Sequence, residues 1–120
     1  HKSLKEIEIL TQKKLEPHAI HTEWKQSNVE GELINFIQNA STYNGLIINP
    51  AGYAHTSVAI LDALKTLKIP IAEVHLSNVY RRENFRQTML TAQASTIIMS
   101  GLSEHVYFIA SLALKEMHKA

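Results

Sequence analysis

Ile69-Pro70-Ile71-Ala72-Glu73-Val74-His75-Leu76 is the stretch that decides the fold. It reads as a strand, with Pro70 near its beginning, where a missing backbone N–H is tolerated. Just before it, Leu61, Leu64 and Leu67 form the inward stripe of a helix running from about Ser57 to Leu67. Before that helix, Leu46-Ile47-Ile48 follows Gly45 as a short apolar run, suited to a strand buried on both faces. Asn49-Pro50-Ala51-Gly52 breaks that run. On the other side, residues 78–86 are a polar, charged loop with room for a helical turn. Thr96 to Met99 is a final strand. Glu104 to Lys119 is a final helix, with Val106, Ile109, Ala110, Ala113 and Met117 inward.

The N-terminal part continues the pattern. Ser3-Leu4-Lys5-Glu6 fits a capping box. Leu4, Ile7, Leu10 and Lys14 follow at helical spacing, and Pro17 ends the helix. Residues 18–24 read as a strand, with Ile20 and Trp24 on one side. Gln26-Ser27-Asn28 is a turn, and a helix follows from about Gly31 to Ala40 with Leu33, Ile34 and Ile37 as its stripe. Alternation of this kind gives an α/β domain with a parallel sheet. A doubly wound sheet ordinarily begins with a strand, whereas this chain opens without methionine and directly at a helix. In the flavodoxin-like strand order 2-1-3-4-5 the first strand is internal. The expectation is therefore that a further strand precedes His1 in the working molecule, or joins it as a separate N-terminal peptide that completes the sheet.

The 120 residues are enough for one domain, and the reading is of a single domain over 1–120. A net charge of +1 argues against a nucleic-acid partner. The chain has no cysteine, which removes disulfides and thiolate chemistry. No apolar run reaches transmembrane length and the opening residues lack a signal-peptide core, so no membrane partner is expected and a cytoplasmic location is the default. The seven histidines show no zinc spacing.

Polar residues gather at the predicted strand ends: Gln26-Ser27-Asn28, Asn49-Pro50 and His75-Leu76-Ser77-Asn78. Open α/β sheets bind ligands there. Glu73-x-His75 is the sharpest feature. On a strand, residues two apart project from one face. The carboxylate can hold one imidazole nitrogen and leave the other to exchange a proton, as a general acid requires. The same spacing also describes a structural ion pair. Arg82 and Arg86 share a face if helical and could clamp a polyol or carboxylate, or simply pair with Glu83. His55-Thr56-Ser57 opens a helix, with Ser57 or Thr56 as cap and His55 at the crevice mouth. Asn49, at a buried strand end, must find hydrogen-bond partners. Asp62, mid-helix, reads as a surface residue from spacing alone.

Six blocks resemble the type II dehydroquinase family in order and spacing. They are Gln26-Ser27-Asn28-Val29-Glu30-Gly31-Glu32-Leu33-Ile34, Ile47-Ile48-Asn49-Pro50, His55-Thr56-Ser57-Val58-Ala59, Asp62-Ala63, Glu73-Val74-His75-Leu76-Ser77-Asn78 and Arg82-Glu83-Asn84-Phe85-Arg86. The resemblance implies a flavodoxin-like subunit in a dodecamer of trimers. It implies a lyase that eliminates water from 3-dehydroquinate through an enolate, giving 3-dehydroshikimate, with no metal or organic cofactor. It makes His75 the general acid and Glu73 the residue that orients it. Asn49 would bind the substrate hydroxyl region, and the Leu76 backbone with Ser77 would hold the substrate carboxylate. His55 and Arg86 would grip ring hydroxyls, Arg82 would support them, and Asp62 would reach a neighbouring subunit's site. The family's first strand and its loop bearing an arginine and the catalytic tyrosine would precede His1. Two turns depart from the family pattern. Pro50-Ala51-Gly52-Tyr53 stands where proline–glycine–alanine–tyrosine is common, and the glycine-rich turn after the last strand reads Ser100-Gly101-Leu102-Ser103. Two other readings stay open: a non-catalytic α/β binding or assembly module that keeps the pocket, and a metal-assisted hydrolase using His55 and His75.

Overall fold

The computed structural model describes residues 2–119; His1 and Ala120, the ends of the expected domain, lie outside the described residues. Four helices and three strands alternate: α1 Leu4–Leu15, α2 Glu30–Gln38, β1 Leu46–Ile48, α3 Val58–Lys65, β2 Ile71–His75, β3 Ile97–Ser100 and α4 Val106–Lys119. The sheet is parallel, in the order β1-β2-β3. Ile48 lies opposite Glu73, and His75 opposite Ser100.

Each strand side carries its own apolar layer. Ile71 and Ile48 pack with Ile37 of α2 and with Ile60, Ala63 and Leu64 of α3. On the other face Ala72 and Val74 meet Val106, Ala110 and Leu114 of α4. All five residues of β2 are buried, as a central parallel strand covered on both faces must be. α1 is started by the capping box read from the sequence: the Ser3 hydroxyl accepts from Glu6 N–H, and Glu6 returns a bond to the Ser3 N–H. Ser57 caps α3 by accepting from Ile60 N–H.

Three expectations are corrected. Residues 18–24 do not form a strand: Glu16–His18 is a 3-10 turn, and the chain beyond it is irregular up to α2. A strand is stable only when a ladder takes up its backbone groups. Among the described residues β1 pairs with β2 alone, and nothing pairs with 18–24. The stripe of α4 is rotated: Val106, Ala110 and Leu114 are buried, while Ile109 and Met117 are exposed. Likewise α1 buries Ile7, Thr11 and Leu15, with Leu10 exposed. In α1 the buried set steps by four, with a threonine inward; in α4 Val106 and Ala110 are buried as expected, and Ser111 and Leu114 join them in place of Ile109 and Met117. Finally, 79–94 is a series of 3-10 turns, so Arg82 and Arg86 do not share a helical face. Arg82 has extended backbone between two of those turns.

Candidate active site

Parallel pairing puts the C-terminal ends of β1, β2 and β3 along one edge of the sheet. Strand alternation then sends Ile71, Glu73 and His75 to the α3 side. Glu73 is 0 % exposed, in the middle of the sheet. A buried carboxylate must be hydrogen-bonded, and both of its oxygens are. Oε2 lies 2.9 Å from His75 Nε2. Oε1 accepts from the Thr91 hydroxyl at 2.5 Å. A carboxylate only accepts, so His75 Nε2 carries a hydrogen toward Glu73. Nδ1 is left as the nitrogen that can exchange a proton.

His75 closes β2, with 7 % of its side chain exposed. Its ring stacks against His55 at 6.4 Å between centroids and an angle of 26°. His55 ends the 3-10 turn Ala51–His55 that follows β1, and its Nδ1 donates to the Thr88 carbonyl oxygen at 2.8 Å. Its Nε2 is therefore the free acceptor when the ring is neutral. Phe85 sets its edge against the same ring at 6.2 Å. The Arg86 guanidinium lies 5.0 Å from the Phe85 ring centre and donates through Nε to Glu83 Oε2 at 2.7 Å. The backbone N–H of Glu83 itself, and then the Arg86 bond, hold the Glu83 carboxyl below the usual carboxylate range. Arg82 donates to the Ser77 hydroxyl at 3.3 Å. Both arginines flank the Glu83 carboxylate considered from the sequence: Arg86 at 2.7 Å, and Arg82, which also serves Ser77, at 4.0 Å.

The strand end also determines Asn49. It is one residue past the Ile48–Glu73 pair and exposed. Its Oδ1 accepts from Ala51 N–H at 3.1 Å, and its Nδ2 donates to the Tyr107 hydroxyl at 3.2 Å. Burial pushes the Tyr107 hydroxyl above the ordinary tyrosine range, and the Asn49 bond opposes this. Beside Asn49 is a cavity of about 280 Å³ lined by Ser27, Asn28, Pro50, Tyr53 and Thr56 among others. His75 does not line it. Tyr53 spans this cleft by donating to the Asn28 carbonyl at 3.0 Å.

The structure therefore brings His75, Glu73, His55 and the turn carrying Arg86 into one cluster. Asn49 stands at the adjacent strand end, Leu76 is half-buried just beyond His75, and Ser77 is exposed with Arg82. Asp62 is exposed on α3 and takes no part in the contacts of the cluster. The sequence reading singled out neither Thr91 nor Tyr107. Thr91 is eighteen positions from its partner Glu73, with no periodicity linking them. Tyr107 lies across the sheet edge from Asn49. Only the tertiary fold joins either pair. Among the described residues no group of three or more histidine or carboxylate side chains converges as a metal site would.

The Ala51-Gly52 and Ser100–Ser103 departures have visible backbone consequences. Ala51 has φ 51° and Ser103 φ 55°, both in the left-handed region, and Gly101 has φ 85°. Gly101 N–H donates to the His75 carbonyl at 3.3 Å, and Ser103 N–H to the Leu76 carbonyl at 2.9 Å. The turn after β3 thereby braces the strand end that carries His75.

Known proteins share this fold. The family model described as Dehydroquinase class II matches residues 1–115. A 3-dehydroquinate dehydratase of Aliarcobacter butzleri is 44 % identical over 116 residues, which cover 96 % of this chain and 71 % of that protein. A 3-dehydroquinate dehydratase of Clostridium perfringens is 53 % identical over 97 residues, covering 79 % of this chain and 66 % of its own. The chain thus spans about two thirds of the length of these curated relatives. The crystal structure of a type II dehydroquinase from Butyrivibrio crossotus superposes with a TM-score of 0.92 at 33 % identity, covering 95 % of this chain and 81 % of that one. A type II dehydroquinase from Propionibacterium acnes gives 0.87 at 28 % identity, covering 98 % and 80 %. With a family match along nearly its whole length and a sheet and helices that superpose on solved members, the chain belongs to the type II dehydroquinase family.

Proposed function

We propose that this chain provides the proton-donating half of a 3-dehydroquinate dehydratase, a hydro-lyase of the shikimate or quinate pathway. The observation that carries this reading is the His75–Glu73 pair at the C-terminal end of the central strand, with His55 stacked beside it. Dehydration removes a proton from C2, next to the C3 ketone, and leaves an enolate. The enolate then collapses to the C1–C2 double bond. The C1–O bond breaks with its electrons on oxygen, and a proton from His75 Nδ1 completes the departing water. Glu73 fixes the ring through Nε2 and balances its positive charge. No residue of this sequence is assigned as the base.

Around that step, Asn49 binds the substrate hydroxyl region. The Leu76 backbone and Ser77 hold the carboxylate, and His55 with Arg86 grips ring hydroxyls. Arg82 supports Ser77, and Asp62 serves a neighbouring subunit's site from its exposed place on α3. This last role fits a homo-oligomer, read as a dodecamer of trimers. Among the described residues one edge of β1 is unpaired, which suits a completing N-terminal strand, supplied by the same chain or by a separate peptide, within a single dehydroquinase-like domain. Among the described residues no helix is long and apolar enough to cross a membrane; a cytoplasmic location remains our reading.

The test is turnover by the full-length protein, followed by the ultraviolet absorbance of the conjugated product. His75→Ala is expected to lower kcat by about 10²- to 10⁴-fold, the range of general acid–base catalysis. Near-native turnover in that variant overturns the assignment. Binding of 3-dehydroquinate without any turnover by the wild-type protein would favour the non-catalytic module instead.

A further inference from the structure

A carboxylate that orients a catalytic imidazole has two oxygens, and the mechanism above uses one. The other is Glu73 Oε1, buried with the rest of the side chain. Its partner is the Thr91 hydroxyl at 2.5 Å, and Thr91 is itself fully buried. Thr91 opens the 3-10 turn Thr91–Ala94, whose Ala94 packs on the apolar layer formed by α2, α3 and the sheet. The far end of this turn is tied down twice. Ser95 N–H donates to the Ala92 carbonyl at 3.0 Å, and Thr96 N–H donates to the Ile71 carbonyl of β2 at 2.8 Å. The hydroxyl is thus presented by backbone anchored to the strand that bears Glu73.

The chemistry of the partner matters. The terminal torsion of a glutamate is broad and roughly two-fold, so a carboxylate held through one oxygen can swing. A second donor on the other oxygen fixes its plane. A lysine or arginine would do this too, but would compete for the charge. A hydroxyl donates a hydrogen bond and brings no charge, so the carboxylate remains directed to the imidazole. Among the described residues His75 is the ion-pair partner of Glu73.

We infer that Thr91 is a positioning residue for the dehydration: its buried hydroxyl fixes the Glu73 carboxylate, which in turn fixes the ring of His75. This rests on the dehydratase reading of the site.

The experiment uses the full-length protein and the variants Thr91→Val, Thr91→Ser and Thr91→Cys. Valine keeps the shape and loses the hydroxyl. It is expected to lower kcat by about 10- to 100-fold, the scale of a small misplacement of a reacting group, with KM unchanged. Serine is expected to restore most of the loss. Wild-type kcat in Thr91→Val, or a loss that serine does not recover, overturns the proposal. If valine prevents folding, the comparison passes to cysteine and serine, which are close in volume but differ in donor strength. Serine well above cysteine in kcat supports the proposal, and equal turnover overturns it. The NMR signal of the His75 Nε2 proton gives a readout independent of activity. It is expected to be protected from exchange in wild type and Thr91→Ser, and lost in Thr91→Val or Thr91→Cys. If the wild-type protein does not dehydrate 3-dehydroquinate, the functional reading falls. The proton signal then decides the positioning role alone, and an unchanged signal in the valine or cysteine variant overturns it.

Discussion

The Asn49 amide donates to the hydroxyl of Tyr107, joining the end of β1 to the first turn of α4 at 3.2 Å. The same amide accepts from the Ala51 N–H. Asn49 is therefore held from both its ends, although its side chain stands in the open. Tyr107 is held in turn by a tilted ring contact with Trp24 at 5.1 Å. Removing the hydroxyl with Tyr107→Phe leaves the ring and frees one end of Asn49. One neutral hydrogen bond is worth about 0.5–1.5 kcal/mol, so KM for 3-dehydroquinate is expected to rise about two- to tenfold. Steady-state kinetics on the two proteins check this.

Tyr107 also sets an alkaline limit. Burial raises its folded-state pKa above the unfolded value, so the folded chain keeps the proton longer than the unfolded chain does. Stability from this residue is fully present below about pH 10, the unfolded value. It is lost as pH rises through the higher folded value, because the unfolded state then binds fewer protons. Thermal melts between neutral and strongly alkaline pH should show a steeper decline for wild type than for Tyr107→Phe.

Glu73→Gln keeps the shape of the side chain and removes its charge. Loss of the orienting anion is expected to lower kcat by at least about tenfold, within the range of general-acid effects, while KM changes little. Equal kcat for the two proteins would place the pair in the structural class that spacing alone allowed.

Glu83 is exposed and holds Arg86. Glu83→Gln should loosen that arginine without a measurable change in thermal stability, since solvent screens an exposed ion pair. The expected result is a higher KM with kcat retained. In wild type the Glu83–Arg86 pair is present above the ordinary carboxylate range and is lost as pH falls through the lowered pKa of Glu83.

Ala51 and Ser103 sit at positive φ. A side chain in the left-handed region costs about 1–2 kcal/mol, and glycine avoids that cost while losing about 0.5–1 kcal/mol in chain entropy. Ala51→Gly and Ser103→Gly are each expected to stabilise the fold by about 0.5–1 kcal/mol. Denaturant unfolding measures this directly.

The sequence made some layers plain and hid others for physical reasons. Leu46–Ile48 was legible to the residue because a strand buried on both faces leaves an uninterrupted apolar run. The caps at Ser3 and Ser57 were legible because capping is local chemistry. Glu73 and His75 could be paired because strand alternation is a rule of two. Residues 18–24 misled because alternation describes what a strand would look like, whereas pairing requires a neighbour. The shared face open to the arginine pair depended on a helix, and that stretch folds as separate 3-10 turns. Thr91 carried no local signal, since its meaning lies wholly in Glu73.

The central carboxylate has a consequence for any effort to harden this protein. Glu73 occupies a place where leucine or methionine would pack without a desolvation cost, and buried ion pairs are often matched or bettered by apolar residues of similar size. Replacing Glu73 alone would strand the buried His75 ring N–H and the Thr91 hydroxyl, which costs stability, so selection for heat resistance alone would drift toward exchanging Glu73, His75 and Thr91 together, giving a sturdier molecule without its imidazole. Screens for robust variants should keep this position fixed and look for gains in the left-handed turns instead.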